Sequence, residues 1–346
     1  MARNANRTTP ARRRAILELA VTEAGAIIAS EIQRSGPLPF SRFMEIALYH
    51  PVSGYYAASR NPFGVRGDFY TAAQLQPVFG RLLRRWVEDC GADAVIDLGA
   101  GRQDLAPAFA GLRYVPIDIH NAELPSLPQA AVVANEFFDA LPCDVYQLRS
   151  GELRQLRVTC DCGVFEWVLA EPATPEVRAW VAVAAASLQE GQRIEVCLAY
   201  RSWMEKLARA LDRGSIFLND YGYTRDESHR FPQGTLMSYR RHQATPDVFA
   251  DPGQRDITAH VAFSVLEMEA CRAGFTVEFF GTLTSILLRW GERDQFSEIV
   301  RASSPQGERN LRLQLKTLLY GMGETFRVLL LSKAPQTKNG PDCSGP

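Results

Sequence analysis

The stretch Ala94-Val95-Ile96-Asp97-Leu98-Gly99-Ala100-Gly101 decides how this chain is read. An apolar run, interrupted by one acid, goes straight into two glycines. A run this short reads as a buried strand. Gly99 and Gly101 allow a tight turn that lets backbone come close to a ligand. A helix is expected directly behind the turn, with its N-terminus favouring an anionic group.

Working outward, further apolar runs recur at Tyr114 to Ile119, Ala131 to Ala134, Arg193 to Tyr200, Ser215 to Leu218, Phe275 to Phe280 and Phe326 to Leu331. Helical segments separate most of them. Such alternation implies an α/β fold, a parallel sheet covered on both faces. Residues 145–169 differ. Val145 to Leu148, Leu153 to Val158 and Val164 to Leu169 are closely spaced, with Ser150-Gly151 and Asp161-Cys162-Gly163 as turns, the pattern of an inserted antiparallel β meander. Upstream, helices are expected over 15–34, Phe40–Leu48 and 74–90, with a loop-like stretch at 51–72. The organisation expected is a helical and loop region covering the cleft (1–90), an α/β domain (91–334) with insertions at 145–169 and 221–259, and a disordered tail (335–346).

Bulk properties narrow the function. Charges nearly cancel, at net −1, which argues against a strongly basic nucleic-acid binder. The 7 cysteines are scattered, with Cys160 and Cys162 the single close pair, so neither a zinc set nor a disulfide framework is expected. No apolar run approaches the ~20 residues that span a bilayer. Arg3, Arg7, Arg12, Arg13 and Arg14 precede the first acid, Glu18. That reads as the basic lead-in of a cytoplasmic protein, the alternative being a transit peptide for the mitochondrial matrix.

The candidate site is built around the glycine turn. Position 104 is Asp, not the third glycine of dinucleotide enzymes, and a pyrophosphate beside it would be repelled. The turn therefore favours S-adenosylmethionine (SAM), whose methionine carboxylate would take the anionic place. Asp97, Gly99 and Gly101 form the turn. Asp118, 21 positions after Asp97 at a strand end, is placed to accept the hydroxyls of a ribose. Asn135-Glu136-Phe137-Phe138-Asp139 follows the third strand, where open α/β sheets bind ligands. If this stretch is helical, Glu136 and Asp139 share a face; the plainer reading is Asn135 as N-cap with Glu136 in the first turn. A guanidinium stays protonated at neutral pH. Carboxylates beside SAM could clamp it and later accept its proton.

Several segments, in this order, resemble the MidA-like family of SAM-dependent methyltransferases, whose mitochondrial members are complex I assembly protein arginine methyltransferases. They are Gly36-Pro37-Leu38-Pro39-Phe40, Gly54-Tyr55-Tyr56, Gly67-Asp68-Phe69-Tyr70, the glycine turn, Asn135 to Pro142, Asp220-Tyr221-Gly222, Gly234-Thr235-Leu236 with His242, and Asp256 to Val261. The resemblance implies a seven-strand Rossmann-like methyltransferase sheet and SAM as cofactor. It implies Gly99, Gly101 and Asp118 as cofactor residues, and Gly67, Asp68, Asn135 and Glu136 as lining of the cleft. Asp68 thereby joins Glu136 and Asp139 as a candidate catalytic acid. Asp220, Tyr221 and His260 would stand at the substrate entrance. The implied partner is a protein substrate carrying an arginine, with no nucleic acid and no membrane span; a homodimer is compatible. Two departures carry expectations. Gln103 stands where the family has a further glycine and would crowd the methionine end of SAM. The stretch from Asp118 to Val132 is too short for the usual helix and third strand, which shortens the adenine wall. The competing functions are a small-molecule methyltransferase and a non-catalytic assembly or interaction factor.

Overall fold

Thr22 opens the first described element: its hydroxyl accepts the Gly25 amide and caps helix α1 (Glu23–Ser35). Gly36 ends that helix at φ 82°, a conformation natural to glycine. The structure, a computed structural model, describes residues 22–57, 76–118, 123–241 and 243–335. In chain order there follow β1 (Leu38–Pro39), α2 (Phe40–Tyr49), α3 (Val78–Asp89) and β2 (Ala94–Leu98). Next come β3 (Arg113–Ile117), β4 (Leu127–Asn135), β5 (Asp144–Arg149), β6 (Glu152–Asp161) and β7 (Val164–Pro172). After α4 (Pro175–Ala184), β8 (Arg193–Val196), α5 (Ala199–Ala210) and β9 (Leu211–Tyr223) lie the short strands β10 (Met237–Arg240), β11 (Gln243–Thr245), β12 (Asp256–Thr258) and β13 (Val261–Ala262). The chain closes with α6 (Phe263–Arg272), β14 (Thr276–Thr282), α7 (Leu283–Gly291), α8 (Pro305–Lys316) and β15 (Phe326–Lys333). The basic lead-in, Gly67, Asp68, His242 and most of the expected tail lie outside the described residues.

Two interleaved units result. The first holds residues 1–70, 140–197 and 226–259. Its main sheet is antiparallel, in the order β7-β6-β5-β8, with β1 on β6. The expected meander, β5 to β7, is there. Ser150 (φ 53°) with Gly151 (φ 75°), and Cys162 (φ 50°) with Gly163 (φ 82°), make the two hairpin turns. Both central residues of each turn are left-handed, matching the twist of the flanking strands. Phe40 and Phe43 of α2 pack with Phe165, Trp167 and Phe249. The polar 221–259 segment is largely ordered, containing the small sheet β11-β10-β12. The run from Arg193 to Tyr200 is not a strand of the parallel sheet. Arg193–Val196 pairs antiparallel with β5, and Ala199 begins a helix that buries Tyr200, Met204 and Leu207. A short apolar run does not distinguish a strand from a buried helical turn.

The second unit holds residues 71–139, 198–225 and 260–346. Its seven-stranded sheet runs β14-β15-β9-β4-β2-β3, with β13 parallel on β9. Strands β3, β2, β4 and β9 are parallel, and β15 is antiparallel to both its neighbours. Alternate residues point to opposite faces. Val95, Ala131, Val133 and Phe217 join Phe79, Trp86, Leu287 and Leu311 of α3, α7 and α8 in one core. Ile96, Val132, Ile216 and Leu218 are buried on the other face, where α5 and α6 meet β9. β4 begins at Leu127, four residues before the expected start, and β3 is the sheet's edge among the described residues.

Candidate cofactor and substrate site

The register brings the carboxyl ends of the parallel strands level. Leu98 lies opposite Ile117 and Ala134, and Asn135 lies opposite Asn219. Gly99, Asp118, Asn135 and Asp220 therefore follow one another along one edge of the second unit's sheet. Val261 pairs with Gly222, which adds His260 to the same edge.

The glycine turn forms as expected, but the helix behind it does not. Gly99 (φ 72°) and Gly101 (φ 46°) are both left-handed, and Gly99 donates its amide to Ile117 O at 2.8 Å. Beyond Gly101 the chain makes a series of turns and a four-residue 3-10 segment, Ala106–Phe109. Pro107 has no amide to continue a helix, and Gly111 (φ 86°) breaks the chain back into β3. No helix dipole is available here for an anion. Instead the Asp118 carboxylate accepts the Gly101 amide at 3.0 Å and fastens the turn. A carboxylate can accept more than one hydrogen bond, so this contact does not conflict with the ribose role expected of Asp118. Gln103 is exposed and itself left-handed (φ 57°), its backbone thus taking a glycine-like conformation. Asp97 points into the sheet. It is buried and accepts the Tyr114 hydroxyl at 2.5 Å. Burial pushes its carboxyl up to about 7, against the pull of the Tyr114 hydrogen bond and with help from the Asp118 charge.

The segment after β4 is not helical, so the shared helix face of Glu136 and Asp139 is absent, as is an N-cap role for Asn135. Asn135 ends β4, and Glu136 turns left-handed at φ 53°. The cause is tertiary. The Asp220 carboxylate accepts the amides of Phe138 (2.9 Å), Asp139 (3.3 Å) and its neighbour Tyr221 (3.0 Å), competing with helix formation. Asp220 is 2 % exposed. Burial, and next the Glu136 charge beside it, push its carboxyl up to about 8. Asp139 is buried as well, whereas Glu136 is half-buried. Tyr221 packs on Phe326 at 4.0 Å and faces the His260 ring at 6.3 Å. Among the described residues, no group of three or more His, Cys, Asp or Glu is placed to hold a metal ion.

Three contributors escaped the sequence reading. The Phe137 ring lies over Gly99, where a Cβ would come within 3.0 Å of it, and Trp203 meets that ring edge-on at 4.8 Å. Tyr114 holds Asp97. Asn219, wholly buried, donates its side-chain amide to Asn135 Oδ1 at 2.8 Å, and its own Oδ1 has no hydrogen-bond partner among the described residues. The signal for Asn219 was an asparagine closing an apolar run, Ile216-Phe217-Leu218, just as Asn135 closes another. The Asp118 carboxylate and the buried Asn219 carbonyl thus bring two hydrogen-bond acceptors to this edge.

The comparisons with known proteins point to one family. The family described as "Putative S-adenosyl-L-methionine-dependent methyltransferase" matches residues 102–281. The mitochondrial protein arginine methyltransferase NDUFAF7 of Danio rerio is 26% identical, over 83% of this chain and 80% of that protein. Its Homo sapiens namesake is also 26% identical, over 69% and 67%. A crystal structure of a Burkholderia thailandensis protein bound to S-adenosyl-homocysteine superposes with a TM-score of 0.79. It has 28% identity and covers 97% of this chain and 96% of that one. The sheet, the glycine turn at its carboxyl edge and a family match over more than half of the chain have one conclusion: this chain belongs to the SAM-dependent methyltransferase family.

Proposed function

We propose that the chain transfers a methyl group from SAM to a guanidinium nitrogen of a protein arginine. The observation that carries this is Glu136. Its carboxylate stands at the carboxyl end of β4, held by the Asn135 side-chain amide at 3.0 Å, on the same edge as the glycine turn. The names of the relatives, protein arginine methyltransferases, support the same substrate. They are mitochondrial proteins, which favours the matrix alternative over the cytoplasm expected from the sequence.

Bound SAM supplies an electrophilic methyl on a sulfonium. The Gly99-Ala100-Gly101 backbone would hold the methionine end and Asp118 would accept ribose hydroxyls. Glu136 orients the guanidinium, since positioning is most of what methyl transfer asks of a protein. Asp220 is buried and its oxygens are taken up by backbone amides. Its work is to hold the Glu136 segment through the Phe138 and Asp139 amides. After transfer, the surplus guanidinium proton goes to a Glu136 carboxylate oxygen.

The test is incubation with SAM and arginine-bearing peptides, followed by amino-acid analysis for methylarginine. Glu136→Gln should keep S-adenosyl-homocysteine affinity and cut methylarginine formation by about 100-fold. Methylation of a residue other than arginine, or full turnover in Glu136→Gln, would overturn the reading.

A further inference from the structure

Asn219 and Glu136 are joined twice. The Glu136 amide donates to Asn219 O at 2.8 Å. The Asn219 side-chain amide donates to Asn135 Oδ1 at 2.8 Å, and the Asn135 amide in turn donates to Glu136 Oε1 at 3.0 Å. One residue thus grips both the backbone and, through one intermediary, the carboxylate of Glu136. The backbone grip falls on a left-handed non-glycine residue, whose conformation the surroundings must impose. The side-chain relay gives one oxygen of the Glu136 carboxylate a fixed donor, the Asn135 side-chain amide.

A purely structural amide pair would leave no buried group unanswered. Asn219 is 0% exposed, yet among the described residues nothing donates to its Oδ1. Buried polar atoms are nearly always paired, so an exception at a ligand-binding edge calls for a donor from outside the chain. Anionic groups are excluded by the acceptor character of an amide oxygen. A cationic N–H fits.

We infer that Asn219 is a positioning residue for methyl transfer: it aims the Glu136 carboxylate through Asn135 and reserves its own carbonyl for a cationic N–H of a ligand. This rests on Glu136 acting as proposed above. The donor is either the cofactor's α-ammonium or the substrate guanidinium.

The experiment has a readout that needs no turnover. In the S-adenosyl-homocysteine complex, the Asn135 side-chain amide protons, assigned by their loss in Asn135→Ala, should resonate downfield because they donate to a carboxylate. Asn219→Leu and Glu136→Gln should each move them back; no movement in Asn219→Leu overturns the relay. If wild-type protein makes no methylarginine, the substrate reading fails while this measurement still decides the relay. With an active peptide, Asn219→Leu should lower kcat by about 100-fold. Adding it to Glu136→Gln should lower kcat no further, since the two act as a unit; additive losses overturn the relay. Weakened S-adenosyl-homocysteine binding in Asn219→Leu assigns the carbonyl to the ammonium. A raised peptide KM with unchanged binding assigns it to the guanidinium. No change in either overturns the ligand role. Should Asn219→Leu fail to fold, Asn135→Ala, at a half-buried position, must reproduce the kcat loss.

Discussion

Asp118 fastens the Gly101 amide at 3.0 Å, and in the proposed site the same carboxylate meets the ribose diol. Asp118→Ala should therefore weaken SAM binding twice over, by loosening the turn and by removing the acceptor. We expect a loss of about 10–100-fold by calorimetry, the scale of a hydrogen bond to a charged group; unchanged affinity would remove Asp118 from the site. Spacing after Asp97 singled out Asp118 in the sequence, and the structure sets its carboxylate against the glycine turn. The partner of Asp97 was not legible, because Tyr114 meets it across two strands that only pairing brings together. For Glu136 the sequence suggested a helical conformation that the structure does not have. Its left-handed turn comes from amides captured by Asp220, 84 positions later than Glu136.

Among elements, β13 shows how a motif can be explained by packing. Gly222 pairs with Val261 so closely that a Cβ would lie 2.3 Å from the Val261 carbonyl oxygen and against the Phe263 ring. The backbone cannot yield that space cheaply. Gly222→Ala should cost roughly 1–3 kcal/mol, measured by urea unfolding, as overpacking does. It should also displace His260, the residue before Val261, from the site edge; wild-type stability would show that β13 can shift at little cost. The missing helix behind Gly101 was foreshadowed by Pro107. Of the seven strands expected, β13 itself was not foreshadowed, because two residues leave no periodicity to read.

At the scale of the molecule, stability against pH should be a dome. Asp97 (about 7) and Asp220 (about 8) lie above their ordinary 3.8, so the folded state holds extra protons. Their contribution is complete at acidic pH and is lost as pH rises through those values. Asp294 behaves oppositely. Arg85, 4% exposed, binds both its oxygens at 2.8 and 3.0 Å and holds its carboxyl well below the ordinary range. That contribution is present above the ordinary 3.8 and is lost on acidification. The melting temperature should fall on both sides of a weakly acidic maximum. Asp97→Asn should flatten the alkaline limb, and an unchanged limb would deny the buried proton. Arg85→Leu should weaken the acidic limb and cost roughly 1–3 kcal/mol, below the fully enclosed case because Asp294 keeps some contact with water. A loss near zero would show that this pair is only a surface contact.

From the sequence by itself come the class of fold, the glycine turn, the meander and the acids at strand ends. Each depends on a local pattern: apolar runs, paired left-handed turn residues, or fixed spacing from a strand. Tertiary structure alone decided that β8 belongs to the antiparallel sheet, that the Glu136 segment is a strained turn, and that Asn219 closes a relay onto it. The physical reason is that strand pairing and buried hydrogen bonds join residues far apart in the chain. A carboxylate or an amide gives no sign in the sequence of which distant amide it will hold.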